Sequence, residues 1–313
     1  MTMNLYQLPV LIRREVQEHK AAFLIAPLVV TAFLVAVMIV GFLSLQLHVN
    51  MDIRMQDDSV TMIPGGEDDM PLDTMFGIRL EKFSKFPMRE KETIMTRTVQ
   101  STVSPLMIVL WLVVLFYLLG TLYDERRDRS ILFWKSMPVS DGMTVTSKLI
   151  MAALVGPAIY VAAAVVIQVL LLVVTSVAAM NHDVPIWSTF WVPARLITGW
   201  MMLMGYFIFA SLWCLPYYGW VLFVSSFARS LPFLWALGIP FAVVIMERMM
   251  MNTNHIGHWM ARHILELRVS QYAPGGVSAM FSQLGSIEFA ISLIVGVAFI
   301  YGAVWMRGRG DEI

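Results

Sequence analysis

Residues 22–47 read AFLIAPLVVTAFLVAVMIVGFLSLQL, with no Asp, Glu, Lys or Arg among them. At 1.5 Å rise per residue, a helix of about 20 residues crosses the hydrocarbon core of a bilayer. This run is long enough to do so. Five more runs of the same kind follow, near 102–122, 149–179, 197–227, 231–250 and 287–306. Backbone groups find no water in lipid, so each run must be helical. The short alternating segments of a β-barrel are absent. The fold expected is all-α, a polytopic membrane protein with six transmembrane helices. Arg13, Arg14 and Lys20 precede the first run, which continues to Leu47 and lacks the short core of a signal peptide. It reads as a retained span.

Composition agrees. The chain has 313 residues, 58% hydrophobic and 14% charged, with mean hydropathy +0.71. A soluble domain carries about a quarter charged residues, so this chain has too little polar surface to face water all round. Its formal net charge of +0 offers no basic field for nucleic acid. Cys214 is the single cysteine, which excludes an intrachain disulfide and any multi-cysteine metal site.

Lys and Arg near the ends of the runs orient them. Arg13, Arg14 and Lys20 come before run one. Arg126, Arg127, Arg129, Lys135 and Lys148 lie between runs two and three, Arg229 between four and five, and Arg307 and Arg309 after six. With six spans these places share one side, expected to be the cytoplasmic one, with both termini there. The external loop 48–101 also carries Arg79, Lys82, Lys85, Arg89, Lys91 and Arg97, but long loops translocate largely regardless of charge. Within one transmembrane domain, 1–21 reads as a cytoplasmic amphipathic helix and 123–148 as a cytoplasmic loop. Segment 48–101 starts polar and then reads as a helix leading into run two. Segment 251–286 holds a candidate interfacial helix, Ile256 to Val269, and a turn at Pro274-Gly275-Gly276. Run four is long for one span and is expected to tilt or to break near Pro216. Pro27, Pro105, Pro157 and Pro240 are candidate kinks.

The apolar runs are nearly free of ionisable groups. Gln168 is the main deep polar residue, and Glu288 sits at the outer edge of run six. Ion-coupled carriers need carboxylates, histidines or broken helices at mid-membrane. No G-x-x-x-x-G-K-[ST] phosphate loop is present. Uphill transport by this chain would take its energy from another subunit.

The loop Tyr123-Asp124-Glu125-Arg126-Arg127-Asp128-Arg129-Ser130-Ile131-Leu132-Phe133-Trp134-Lys135-Ser136-Met137-Pro138-Val139-Ser140 is dense in charge, then apolar, then stopped by proline. It reads either as a positive-inside anchor with interfacial aromatics or as a docking helix for a partner on that face. It resembles the first intracellular loop of ABC-2 type transporter permeases, through Glu125-Arg126, Ser136-Met137-Pro138-Val139-Ser140 and Ser147-Lys148. Leu11–Lys20 is similar to the helix that precedes span one in that family. The resemblance extends over the chain in span number, orientation and loop placement. Loop 48–101 is longer than in many members.

The resemblance implies a permease subunit of an ATP-driven transporter, expected to be an exporter, in a bacterial cytoplasmic (inner) membrane. A second permease copy or a relative would complete the pathway. An ATP-binding cassette subunit would dock on the cytoplasmic face, with ATP and magnesium held by that partner and no cofactor here. Carried over residue by residue, Asp124, Glu125, Arg126, Arg127, Asp128, Arg129, Ile131, Leu132, Phe133 and Trp134 would contact the ATPase, beside Arg13, Arg14, Glu15 and Glu18. Glu125 is expected to be exposed, so that its replacement disturbs coupling more than folding.

Other constellations are weaker. His255, His258, His263 and Glu266 match no established ligand spacing, and an interfacial helix is the expected reading over a zinc or copper site. Glu247 and Arg248, at the outer end of run five, are expected to be solvated or interfacial rather than part of a gate or substrate contact. Met201, Met202, Met204, Met246, Met249, Met250 and Met251 are expected to face lipid or other helices rather than to line a pathway. Trp187, Trp191 and Trp200 fit an aromatic belt. A metal-dependent intramembrane enzyme and a non-transporting membrane anchor are the competing classes. The enzyme reading lacks a nucleophile or base in the spans.

Overall fold

The computed structural model describes residues 7–56, 72–136, 139–265 and 284–309, with side chains for all of these except 45–56, 72–75, 132, 134, 135 and 262–265. Among the described residues every regular element is helical. Within the described residues six helical stretches are long and apolar enough to cross a membrane: Ala21–Ser44, Met88–Arg127, Asp141–Ala179, Trp187–Trp213, Pro232–Met251 and Ile287–Gly308. Each contains or overlaps one expected run. The second and third begin well before the apolar residues do, because the helices Met88–Ser101 and Asp141–Ile150 lead into them.

In chain order the helices are α1 (Leu8–Glu18), α2 (Ala26–Gln56), α3 (Leu72–Ser84), α4 (Met88–Ser101), α5 (Val103–Arg127), α6 (Ser130–Ser136), α7 (Asp141–Ile150), α8 (Gly156–Ala179), α9 (Val192–Ala194), α10 (Leu196–Trp213), α11 (Leu215–Phe227), α12 (Pro232–Met251), α13 (His255–Leu265) and α14 (Ile287–Gly308). The fourth run does break near Pro216. Cys214 separates α10 from α11, and Pro216 lies in the first turn of α11, where a missing N–H is an orphan in any case.

Three π-helical stretches, Ala21–Ile25, Met151–Val155 and Trp187–Trp191, each end two residues before a proline: Pro27, Pro157 and Pro193. The proline ring crowds the carbonyl four residues back and has no N–H, so the turn widens. The carbonyls that lose their donors find others. The Ala26 N–H bonds to Ala21, and Tyr160 donates its hydroxyl to the carbonyl of Ala22 at 3.2 Å. Pro157 cannot donate to Ala153, whose carbonyl accepts from the Ser211 hydroxyl. Pro105 falls in the first turn of α5, and α12 continues through Pro240.

The chain forms two compact units, Met1–Pro27 with Met107–Val161 and Met202–Ile313, and Leu28–Leu106 with Ala162–Met201. In the second, Leu80, Met95, Val99, Leu172, Ala179, Phe190 and Ala194 build one apolar core. The predicted deep polar residue lies in this unit: Gln168 is buried, accepts from the Trp200 indole at 2.7 Å and donates to the Val99 carbonyl at 3.3 Å. In the first unit α11 packs along α14. A Cβ on Gly219 would lie 2.6 Å from the Gly296 carbonyl oxygen, and one on Gly296 would lie 2.9 Å from the Leu215 backbone. Two glycines thus let the backbones touch, the usual way apolar helices associate where lipid removes the hydrophobic drive.

Gly296→Val is expected to lower the melting temperature in detergent, since overpacking costs about 1–3 kcal/mol. Gly238→Val, with open space around its site, is the control and is expected to melt like the parent.

Candidate functional site

Five charges from four helices meet inside the first unit. Ser140 caps α7 by accepting from the Met143 N–H at 3.3 Å, which places Asp141 in the first turn, at the positive end of the helix dipole. Two turns on, Lys148 is 1% exposed. Its ammonium lies 2.9 Å from a Glu15 oxygen and 3.0 Å from a Glu125 oxygen. The other Glu125 oxygen accepts from Arg307 at the end of α14, and Arg307 Nε donates to Asp141 at 3.0 Å. Tyr117 donates its hydroxyl to the second Glu15 oxygen at 2.8 Å. The network ties α1, the last turn of α5, α7 and α14 together.

A fifth element joins beside it. The Arg126 guanidinium donates to the carbonyls of Ser225 and Ala228, each at 2.8 Å, at the end of α11. The Ser225 hydroxyl faces the backbone of Leu122 and Tyr123 on α5. Four chain segments singled out by their basic residues, 13–20, 126–148, the turn around Arg229 and the end of α14, therefore lie at one end of this unit.

The predicted docking residues divide in two. Glu15, Glu125 and Ile131 are buried, and Arg126 is spent on α11. Glu125, expected at the surface, is only 8% exposed because two cations from distant segments close over it. Arg13, Glu18, Arg127, Asp128 and Arg129 are exposed, Asp124 and Arg14 partly so. Arg14 pairs with Glu18 at 2.8 Å, and Arg127 with Asp124 at 3.4 Å and Asp128 at 3.1 Å. On α6, Phe133 stands 61% exposed. The side chains of Leu132 and Trp134 lie outside those described. An open cleft of about 350 Å³ is bordered by Arg14, Glu18 and His19 on α1, by Thr121, Asp124, Glu125 and Asp128, by Ser130 and Phe133 on α6, and by Lys148. Burial holds the His19 imidazole below its ordinary pKa, against the pull of Glu15.

Reading along the chain missed Lys148, Arg307, Asp141 and Tyr117. The available signal was Glu125 itself, an acid in the last turn of an apolar helix where bases are the rule.

Glu15, Glu18 and His19 are close enough to share an ion, but Glu15 is already held by Lys148 and Tyr117, and Glu18 by Arg14. In the histidine segment, Glu266 and the His263 side chain lie outside the description. Glu247 is tied to the following helix rather than left in solvent. It is 8% exposed and caps α13, accepting from the N–H groups of His255 at 2.6 Å and Ile256 at 3.0 Å and from the Thr253 hydroxyl at 3.0 Å. Free N–H groups at a helix start attract a carboxylate, which offsets its burial. Met201, Met204, Met246, Met249, Met250 and Met251 face outward.

No family model matches this chain, and neither the curated proteins nor the solved structures contain a match.

Lys148→Met is expected to destabilise the chain by about 3–5 kcal/mol, because it strands buried carboxylates. Thermal unfolding in lipid nanodiscs measures the loss, and Lys148→Arg is expected to recover most of it.

Proposed function

We propose that this chain is the permease subunit of an ATP-driven transporter of the ABC-2 type, an exporter in a bacterial cytoplasmic membrane. It has both termini in the cytoplasm and pairs with a second permease chain. It hydrolyses nothing itself. Its work is to carry the movement of an ATP-binding cassette subunit into the membrane helices.

The observation that carries this reading is the meeting of two segments about a hundred residues apart. The family resemblance implies an ATPase contact for each of them, and α1 and α6 border one cleft. The geometry also narrows the surface. The contact is made by Arg13, Glu18, Asp124, Arg127, Asp128, Arg129 and Phe133, while Glu15, Glu125 and Arg126 serve the permease's own frame. Exposed mixed charge gives orientation and partner choice, and an exposed aromatic gives anchor area. Six spans with four basic segments gathered at one end of a unit suit the positive-inside rule.

Single cysteines at Asp68 and Arg127 are expected to label from opposite faces of the membrane; labelling from one face would remove the six-span topology. Phe133→Ala is expected to insert normally and to weaken copurification of the ATP-binding subunit at least tenfold, as loss of an anchor worth about 2 kcal/mol implies. Parental binding by both Phe133→Ala and Arg127→Glu would reduce the loop to a lipid anchor.

A further inference from the structure

Three buried or half-buried acids, Glu15, Glu125 and Asp141, face two cations, Lys148 and Arg307. Without Glu125 the same groups sort into two neutral pairs, Lys148 with Glu15 at 2.9 Å and Arg307 with Asp141 at 3.0 Å. Each pair is complete by itself. Glu125 is the group that touches both cations, one with each oxygen. Charge balance does not call for it, and a carboxylate 8% exposed carries a desolvation cost.

Its place in the chain suggests what that cost sustains. Glu125 sits in the last turn of α5. Arg129 follows in the left-handed region, φ 57°, and turns the chain into α6, with the Ser130 hydroxyl donating back to the Glu125 carbonyl at 3.3 Å. The start of α6 is thus tied to a residue whose carboxylate meets a cation on α7 and a cation on α14. We propose that Glu125 is a positioning residue: its carboxylate joins two otherwise self-sufficient ion pairs and thereby holds α6 in register with the ends of α7 and α14. A displacement of α6 is then felt at two spans together. The docking role proposed above enters only in saying what displaces α6.

Charge arithmetic makes the claim testable apart from stability. Glu125→Gln leaves two neutral pairs, so the chain folds, but the bridge is gone. Hydrogen exchange by mass spectrometry on the full chain in nanodiscs is expected to show amides 128–136 exchanging at least tenfold faster in Glu125→Gln. The melting temperature and the protection of 143–150 and 300–307 stay parental. Unchanged exchange in 128–136 overturns the proposal. So does a variant that melts far below the parent or loses protection throughout, since Glu125 would then be a stability residue like Lys148. ATPase binding is scored on the same samples. A parental chain that binds no ATP-binding subunit counts against the docking reading alone, and the exchange pattern still decides the role of Glu125.

Discussion

One ammonium group organises the end of the first unit. Lys148 reaches two carboxylates, from α1 and α5, at 2.9 and 3.0 Å. Neither acid has another cation as near that is not shared. Buried ion pairs add little net stability over apolar packing, and breaking one is expensive. A network of this kind therefore specifies one arrangement more than it strengthens it. Helices from the beginning, middle and end of the chain must all arrive before the whole network is closed.

The division of labour at this face follows. Charges within reach of Lys148 and Arg307 are withdrawn from the surface. Those a few residues away, on the other side of the same helices, remain outside in loose pairs such as Arg127 with Asp128. Neighbours in sequence thus serve different ends. On α1, Glu15 is fixed inward while Arg13 and Glu18 stay outward. At the end of α5 and just beyond it, Glu125 and Arg126 belong to the frame, and Arg127, Asp128 and Arg129 belong to the proposed partner surface.

Much of the fold was legible because bilayer physics acts on single residues and local runs. Length of apolar run marks a span whatever lies beside it, and the six stretches fall where hydropathy put them. The break at Cys214 and the altered turns before Pro27 and Pro157 follow from a ring and a missing N–H, both local facts. The site was legible only in outline. The positive-inside rule counts Lys148 and Arg307 by position and is silent on a carboxylate that meets them from 133 or 182 residues away. The capping role of Glu247 was hidden for a like reason: the N–H groups it accepts from belong to the helix after the next turn.

The altered turns also bear on how the protein is assembled. A span normally closes all its backbone hydrogen bonds before it meets a neighbour, so each can enter lipid alone. Span one cannot, because the Ala22 carbonyl waits for Tyr160. In span three the Ala153 carbonyl, which Pro157 cannot serve, accepts from Ser211. Each open carbonyl in hydrocarbon costs free energy until its hydroxyl arrives. Near two prolines, hydroxyls of later spans therefore serve backbone carbonyls of earlier ones, so part of each early span's hydrogen bonding is lent to it by a neighbour.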